Sequence, residues 1–335
     1  MEKALKAFAK DKFFGLLYLD HDEEWHLRII LPVDQVTIIT PMKYYVDVPL
    51  QAHIKEMIEF LSICEWSDEL KYRDGKLYNG NSSIAAETFK NEPDYRNLIV
   101  PSAKSVLKSG AKLTEPIDNK LLNWVNQAVY DDGRQLDRLA FIKIEPNRIT
   151  ATNGYRLHRG FTHTGIEAVI NAEPKGYFKA PVQFSEPIEQ DDGKRFVYSY
   201  QYYDYCMICA LHNADAAKAG GYNLPNFDTI IQEPEAEYHF TWDKRLNLVK
   251  KYKSIELGEN LIAHDYDKHL DLNLKTQIKF GKPLYVSPEL FIEALDGHDA
   301  TLGIVSAMGY ADRKYWLINI TYDNRLAVIA SRSDK

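Results

Sequence analysis

The chain has 335 residues, 45% of them apolar, enough for two or three domains with buried cores. Forty-one basic against 48 acidic residues leave a net charge of −7, which excludes a protein that coats nucleic acid by unspecific attraction but not one with a local basic lining. Three cysteines without framework spacing, and no apolar run of about 18 residues, predict a cytoplasmic protein with no membrane partner.

Residues 1–13 carry Leu5, Phe8 and Ala9 at helical spacing, with Lys3, Lys6 and Lys10 along one face. Strand-like runs follow, interrupted by "DHDEEWH" at 20–26. Its His21, Asp22, Glu23, Glu24 and His26 are side chains a metal accepts, but the helical His-Glu-x-x-His spacing is missing, so a solvated hairpin turn is expected. "VDVPLQAHIKEMIEFL" at 46–61 reads as a short strand and then a helix with Ile54, Met57, Ile58 and Leu61 on its apolar face. About one domain-length after 1–13, a second helix of that kind is expected over 118–130 from Leu121, Leu122, Val125 and Val129; Lys120 lies on it, and Arg134 and Gln135 follow it.

The alternation in "LAFIKIEPNRITAT" then leads to "ATNGYRLHRG", residues 151–160. By itself this turn fits catalysis, phosphate binding or a grip on another protein. "CMIC" at 206–209 follows a strongly β run; residues i and i+3 of a strand point to opposite faces, so two half-buried structural cysteines are expected and not a zinc site. A third helix is expected over 242–253 from Leu246, Leu248 and Val249, crowded by Lys244, Arg245, Lys250, Lys251 and Lys253. "HDYDKHLDLN" at 264–273 reads as an exposed edge strand, and "YVSPELFIEAL" as a strand and helix. No phosphate loop, nucleophile elbow or dinucleotide fingerprint is present.

The chain also resembles itself. "EPDYRNLI" at 92–99 and "LPNFDTII" at 224–231 share Pro-(Asp/Asn)-aromatic-x-x-apolar-Ile, and the strand–helix starts at 46–61 and 284–297 form a second pair. With the three helices, these define a unit of about 112 residues occurring three times. The expected domains are 1–106, 107–233 and 234–335.

"LDRLAFIKIEPNRITATNGYRLHRG" resembles the middle domain of the bacterial DNA polymerase III β subunit, the sliding clamp, where a strand pair leads into Ala-Thr-Asp-Gly-(His/Tyr)-Arg-Leu. "NLPNFDTII" is similar to that family's Phe-Pro-Asp-Tyr-x-x-Val-Ile, and the ordered resemblance covers roughly residues 46–335. The opening half-domain is shorter than the family's, and the chain ends Ser331-Arg332-Ser333 in place of Met-Pro-(Met/Val)-Arg-Leu. These departures mark a divergent member, with a viral origin among the readings.

The resemblance implies an α+β fold of three clamp domains, sheets outside and two helices inside each, closing as a homodimeric ring. It implies a non-catalytic processivity factor without metal or cofactor, which encircles duplex DNA and takes short peptides of the polymerase and clamp loader in a groove. Carried over, the groove residues are Leu136, Thr152, Gly154, Tyr155, Arg156, Leu157, Pro225, Ile230 and Ile329. Tyr155 and Arg156 would form its rims. Lys3, Lys6, Lys10, Lys120, Arg134, Gln135, Lys244, Arg245, Lys250 and Lys251 would face DNA. Ile84, in the strand "NSSIAAETF", would meet the partner near Ser254 and Ile255. "GIEAVINAE" at 165–173 is the best candidate for the middle domain's second helix. A monomeric clamp-fold adaptor and a metal-dependent enzyme using the acidic–histidine turns are the alternatives.

Overall fold

The computed structural model describes residues 1–9, 15–65, 67–88, 97–129, 141–219, 224, 226–266, 268–276, 278–308 and 314–331. The chain begins α1 (Glu2–Phe8), β1 (Leu16–His21), β2 (His26–Leu31), β3 (Val36–Tyr44), β4 (Leu50–His53) and α2 (Ile54–Leu61). It continues through β5 (Glu69–Arg73), β6 (Lys76–Asn79), β7 (Ser82–Ala85), β8 (Glu87–Thr88), α3 (Ala103–Lys108) and α4 (Asn119–Gln127). Next come β9 (Phe141–Glu145), β10 (Arg148–Thr152), β11 (Arg156–Phe161), β12 (Ala168–Asn171), β13 (Val182–Phe184) and β14 (Ile188–Glu189). Then follow β15 (Arg195–Tyr203), β16 (Cys206–Asn213), α5 (Ala216–Ala219) and β17 (Ala236–Phe240). The last part holds β18 (Ser254–Leu257), β19 (Asn260–Asp265), β20 (Lys268–Lys275), β21 (Leu284–Val286), α6 (Pro288–Leu295), β22 (Ala300–Met308), β23 (Lys314–Tyr322) and β24 (Arg325–Ala330).

Two compact units result. One is Met1–Asn119 with Gly176–Asp215; the other is Lys120–Lys175 with Ala216–Lys335. The middle third of the sequence therefore contributes strands to both.

One four-stranded motif recurs three times, as β4-β1-β2-β3, β12-β9-β10-β11 and β21-β18-β19-β20. In the first unit β3 takes β16 at its free edge, giving the path β4-β1-β2-β3-β16-β15-β13. In the second, β11 takes β24, giving β12-β9-β10-β11-β24-β23-β22. The two joins agree in detail. Val36 pairs with Ala210 just as Arg156 pairs with Ile329, and the next backbone bonds, Leu211 N to Gln35 O and Ala330 N to Tyr155 O, are both 3.1 Å. The opening half, expected to be short, holds α1 and the four strands β1–β4.

The cores follow the apolar spacing. Leu5 and Phe8 of α1 are buried, as are Ile54, Met57 and Leu61 of α2 and Leu121, Leu122 and Val125 of α4. Three expectations are corrected. Residues 165–173 are not a helix: Ala168–Asn171 is β12, with Ala168 and Ile170 buried at period two, and no helix follows it before β13. The stretch 242–253 holds only a six-residue 3-10 helix, Lys244–Val249. At three residues per turn Leu246 and Val249 share the buried face and Leu248 is left 68% exposed. Cys206 and Cys209 are fully buried, not half-buried, and burial pushes the Cys206 thiol up to about 11.

Candidate functional site

The turn between β10 and β11 is built by its own side chains. Asn153 Oδ1 accepts from the backbone N–H of Tyr155 at 3.0 Å and of Arg156 at 3.1 Å, and Gly154 N–H donates to Thr152 Oγ1 at 3.1 Å. Gly154 has φ +87°, a conformation that a Cβ penalises. The result projects Tyr155, 66% exposed, from the sheet end.

Below it lies an apolar floor. Leu157, Phe227, Val305, Ala307, Leu317 and Val328 are buried together, and Leu224, Ile230, Ile231 and Ala330 pack against them half-buried. The segment over the floor is held by charge: Asp228 accepts from Arg159 at 2.8 Å and from Arg148 at 3.0 Å. Arg148 is itself held by Glu145 at 2.9 Å. Asn226 caps the 3-10 turn Phe227–Thr229 by accepting from Asp228 N–H at 3.1 Å.

Strand alternation sorts the expected groove residues. Leu157 pairs with Val328 and faces the floor, whereas Arg156 pairs with Ile329 and faces the other side. Arg156 is therefore no rim: its guanidinium is buried, bonded to Glu293 and to the carbonyls of Gln127 and Ala128 at the end of α4. The guanidinium beside Glu293 holds that carboxyl below the usual range, against the opposing effect of burial. Ile329 is fully buried and supplies no groove surface. Thr152 is also buried, with its hydroxyl spent on Arg156 O at 2.5 Å. Leu136 and Pro225 lie outside the described residues. Of the residues missed, Leu317, Val328 and Ala330 were readable from the alternation of 314–330 once one of them was placed, and Phe227 from the apolar positions of the repeated segment 224–231.

Behind the turn, His158 stacks on Trp124 with ring centres 4.3 Å apart, and its Nδ1 lies 2.7 Å from Trp124 O. Full burial, with Arg156 close by, lowers its pKa to about 3. It is a neutral core histidine.

No family profile and no curated protein sequence matches the chain. Solved structures do. The chain superposes on the β subunit of DNA polymerase III from Borrelia burgdorferi with TM-score 0.68 at 12% identity, covering 100% of this chain and 96% of that one. The Helicobacter pylori β clamp gives 0.64 at 13% identity, covering 99% and 97%. The sliding clamp of Pseudomonas aeruginosa gives 0.65 at 10%, with the same coverage. The fold is that of a bacterial sliding clamp.

On this clamp fold the expected basic residues sit at the helical turns that open each copy. Lys3, Lys6, Lys120, Lys244, Lys250 and Lys251 are exposed, and Lys6 pairs with Glu2. Arg245 is committed elsewhere: it bonds Asp243 at 2.8 Å and Leu272 O at 2.9 Å, and it holds the Asp243 carboxyl down at about 2. Lys10, Arg134 and Gln135 lie outside the described residues.

For the expected seam, Ile84 is half-buried on β7, which among the described residues pairs only with β6. Ile255 is fully buried in β18, an inner strand between β19 and β21, so it has no surface to offer a partner. Glu256 beside it is occupied by His264 Nε2 at 2.9 Å and the Tyr285 hydroxyl at 3.2 Å.

The acidic turns close hairpins. Asp22 accepts from Glu24 N–H at 2.9 Å and His26 N–H at 2.8 Å, while Glu23 and Glu24 pair with Lys108 and Lys104 of α3. Among the described residues no three His, Cys, Asp or Glu side chains are grouped to hold a metal, and no helix is long and apolar enough to cross a membrane.

Proposed function

We propose that this protein is a DNA sliding clamp: a non-catalytic factor that closes as a head-to-tail homodimer around duplex DNA and tethers a polymerase. The observation that carries it is the pattern of joins. The third strand of a four-stranded motif is continued by the closing strand of the next copy, β3 by β16 and β11 by β24. Among the described residues β20, the third strand of the last motif, pairs only with β19, and β7 pairs only with β6. Pairing β20 of one chain with β7 of another repeats the same join, and doing so twice closes a ring of two chains. An edge strand left bare invites aggregation, so closure also removes a liability.

A ring is retained on DNA by topology, and tight phosphate contacts would stop it sliding. An acidic chain with a few exposed lysines on its inner face suits that task. The groove under Tyr155 would take a short peptide of the polymerase or clamp loader, an apolar side chain against Leu157, Ile230 and Ala330 and its backbone against the turn. Micromolar-class affinity, roughly −8 kcal/mol, is expected.

The test is solution mass followed by retention on DNA. Light scattering should give twice the 38.7 kDa chain, and the protein should stay on closed circular DNA and run off the same DNA once linearised. A single-chain mass would favour the monomeric adaptor. Gly154→Val should abolish binding of a polymerase-tail peptide in a folded protein, since φ +87° is costly for a β-branched residue. Undiminished binding by that variant would remove the groove assignment.

A further inference from the structure

We propose that the cleft at the β2–β3 turn of the first unit is a second peptide-docking site, built on the same plan as the groove under Tyr155. It rests on the reading of that groove as a peptide site. The correspondence is residue by residue. Gln35 stands where Tyr155 stands, and Leu211 where Ala330 stands, as their matching 3.1 Å backbone bonds show. Tyr198 pairs with Leu211 as Leu317 pairs with Ala330. The repeated segment brings Leu98 and Ile99 to the positions of Ile230 and Ile231. It is anchored by Val100 N–H donating to Thr37 Oγ1 at 2.9 Å, and Thr37 occupies the place of Leu157.

In this first-unit position the surface is concave. A cavity of ≈ 450 Å³ opens between the turn and the segment, within the range that binds ligands. Its floor is apolar, from Leu98, Phe196, Tyr198 and Leu211, with Pro32 at one wall. Its rim carries three carboxamides, Gln35, Asn97 and Gln190, which can donate to a peptide carbonyl and accept from a peptide N–H. Gln190 already leans over the floor, its Nε2 donating to the Tyr198 hydroxyl at 3.1 Å. The one carboxylate, Asp192, is paired with Lys194 at 2.6 Å. No lysine or arginine is among the described residues that line the cavity, so nothing there draws a phosphate. The volume admits a few side chains and not a folded face. The occupant is therefore a short extended segment of a partner protein, with an apolar anchor and neutral or basic flanks.

The experiment pans a display library of random octapeptides on the full chain and measures the selected peptides, fluorescein-labelled, by anisotropy. Leu98→Asp and Gln190→Arg probe the new site; Ile230→Asp probes the groove under Tyr155. One class of peptides should lose at least about tenfold in affinity with Leu98→Asp and with Gln190→Arg and be unchanged by Ile230→Asp. If every selected peptide ignores both first-unit variants, or none is selected, the proposal is overturned. Failure of the first reading looks different: no peptide responds to Ile230→Asp. Should Leu98→Asp fail to fold, Gln190→Arg, an exposed rim position, decides the matter alone.

Discussion

Tyr155 and Arg156 are adjacent in the chain and opposite in duty: the first projects from the turn, and the second is buried against Glu293 and the last carbonyls of α4. Removing one partner of a buried pair strands the other, so Arg156→Met should cost about 3–5 kcal/mol in urea unfolding. Tyr155→Ala should change stability by no more than about 0.5 kcal/mol while weakening groove peptides. Equal stability losses in the two variants would contradict this division. His158 sets a pH dependence. Its folded pKa of about 3 lies below the ordinary value of 6.5, so the unfolded chain takes up a proton that the native state refuses. The stability it contributes is complete above about pH 6.5 and falls by about 1.4 kcal/mol per unit as pH drops toward 3. His158→Gln, whose amide can still donate to Trp124 O, should flatten the profile between pH 7 and 5. A variant with the parent's slope would place the titration elsewhere.

Among the elements, the helices with a full apolar face were legible: 54–61, the core of 118–130 and 288–295 all form as their spacing requires. The two misread segments share a cause. "GIEAVINAE" is short and rich in helix-formers, but Ala168 and Ile170 are buried by pairing with Ile144 and Ile142 of β9, and tertiary pairing overrides propensity in a four-residue element. In 244–249 the choice between 3 and 3.6 residues per turn changes only which of Leu246, Leu248 and Val249 is outside, and a stretch so short carries too little periodicity to decide. The site was legible in part for the same reason. The turn chemistry of Asn153 and Gly154 is local, while the inward course of Arg156 depends on Glu293, which is 137 residues away. The six-residue turn leaves Lys244, Lys250 and Lys251 exposed around it. Changing all three to Gln should shorten retention on closed circular DNA at low salt, by a margin that shrinks as salt rises, and leave peptide binding untouched. Parental retention by the triple variant at low salt would remove this face from the DNA path.

For the whole molecule, the proposed closure rests on strands left over by the internal joins. Ile84→Lys puts a charge on β7, where the partner's β20 is proposed to pair, and should give folded single chains that still bind groove peptides; a variant that scatters light as a dimer would move the seam. The sharing of the middle third between two units has a further consequence for how the chain is made. As synthesis proceeds from the N-terminus, β3 emerges early but waits for β16, at Cys206–Asn213, before its edge is covered. β11 waits equally long, for β24 at Arg325–Ala330. Neither sheet can be finished by the segment that begins it, so a ribosome halted near residue 200 releases a chain with open β3, and one halted near 320 leaves open both β11 and β23. Such products expose long unpaired edges to one another, and they are the species that holding chaperones and proteases must meet first.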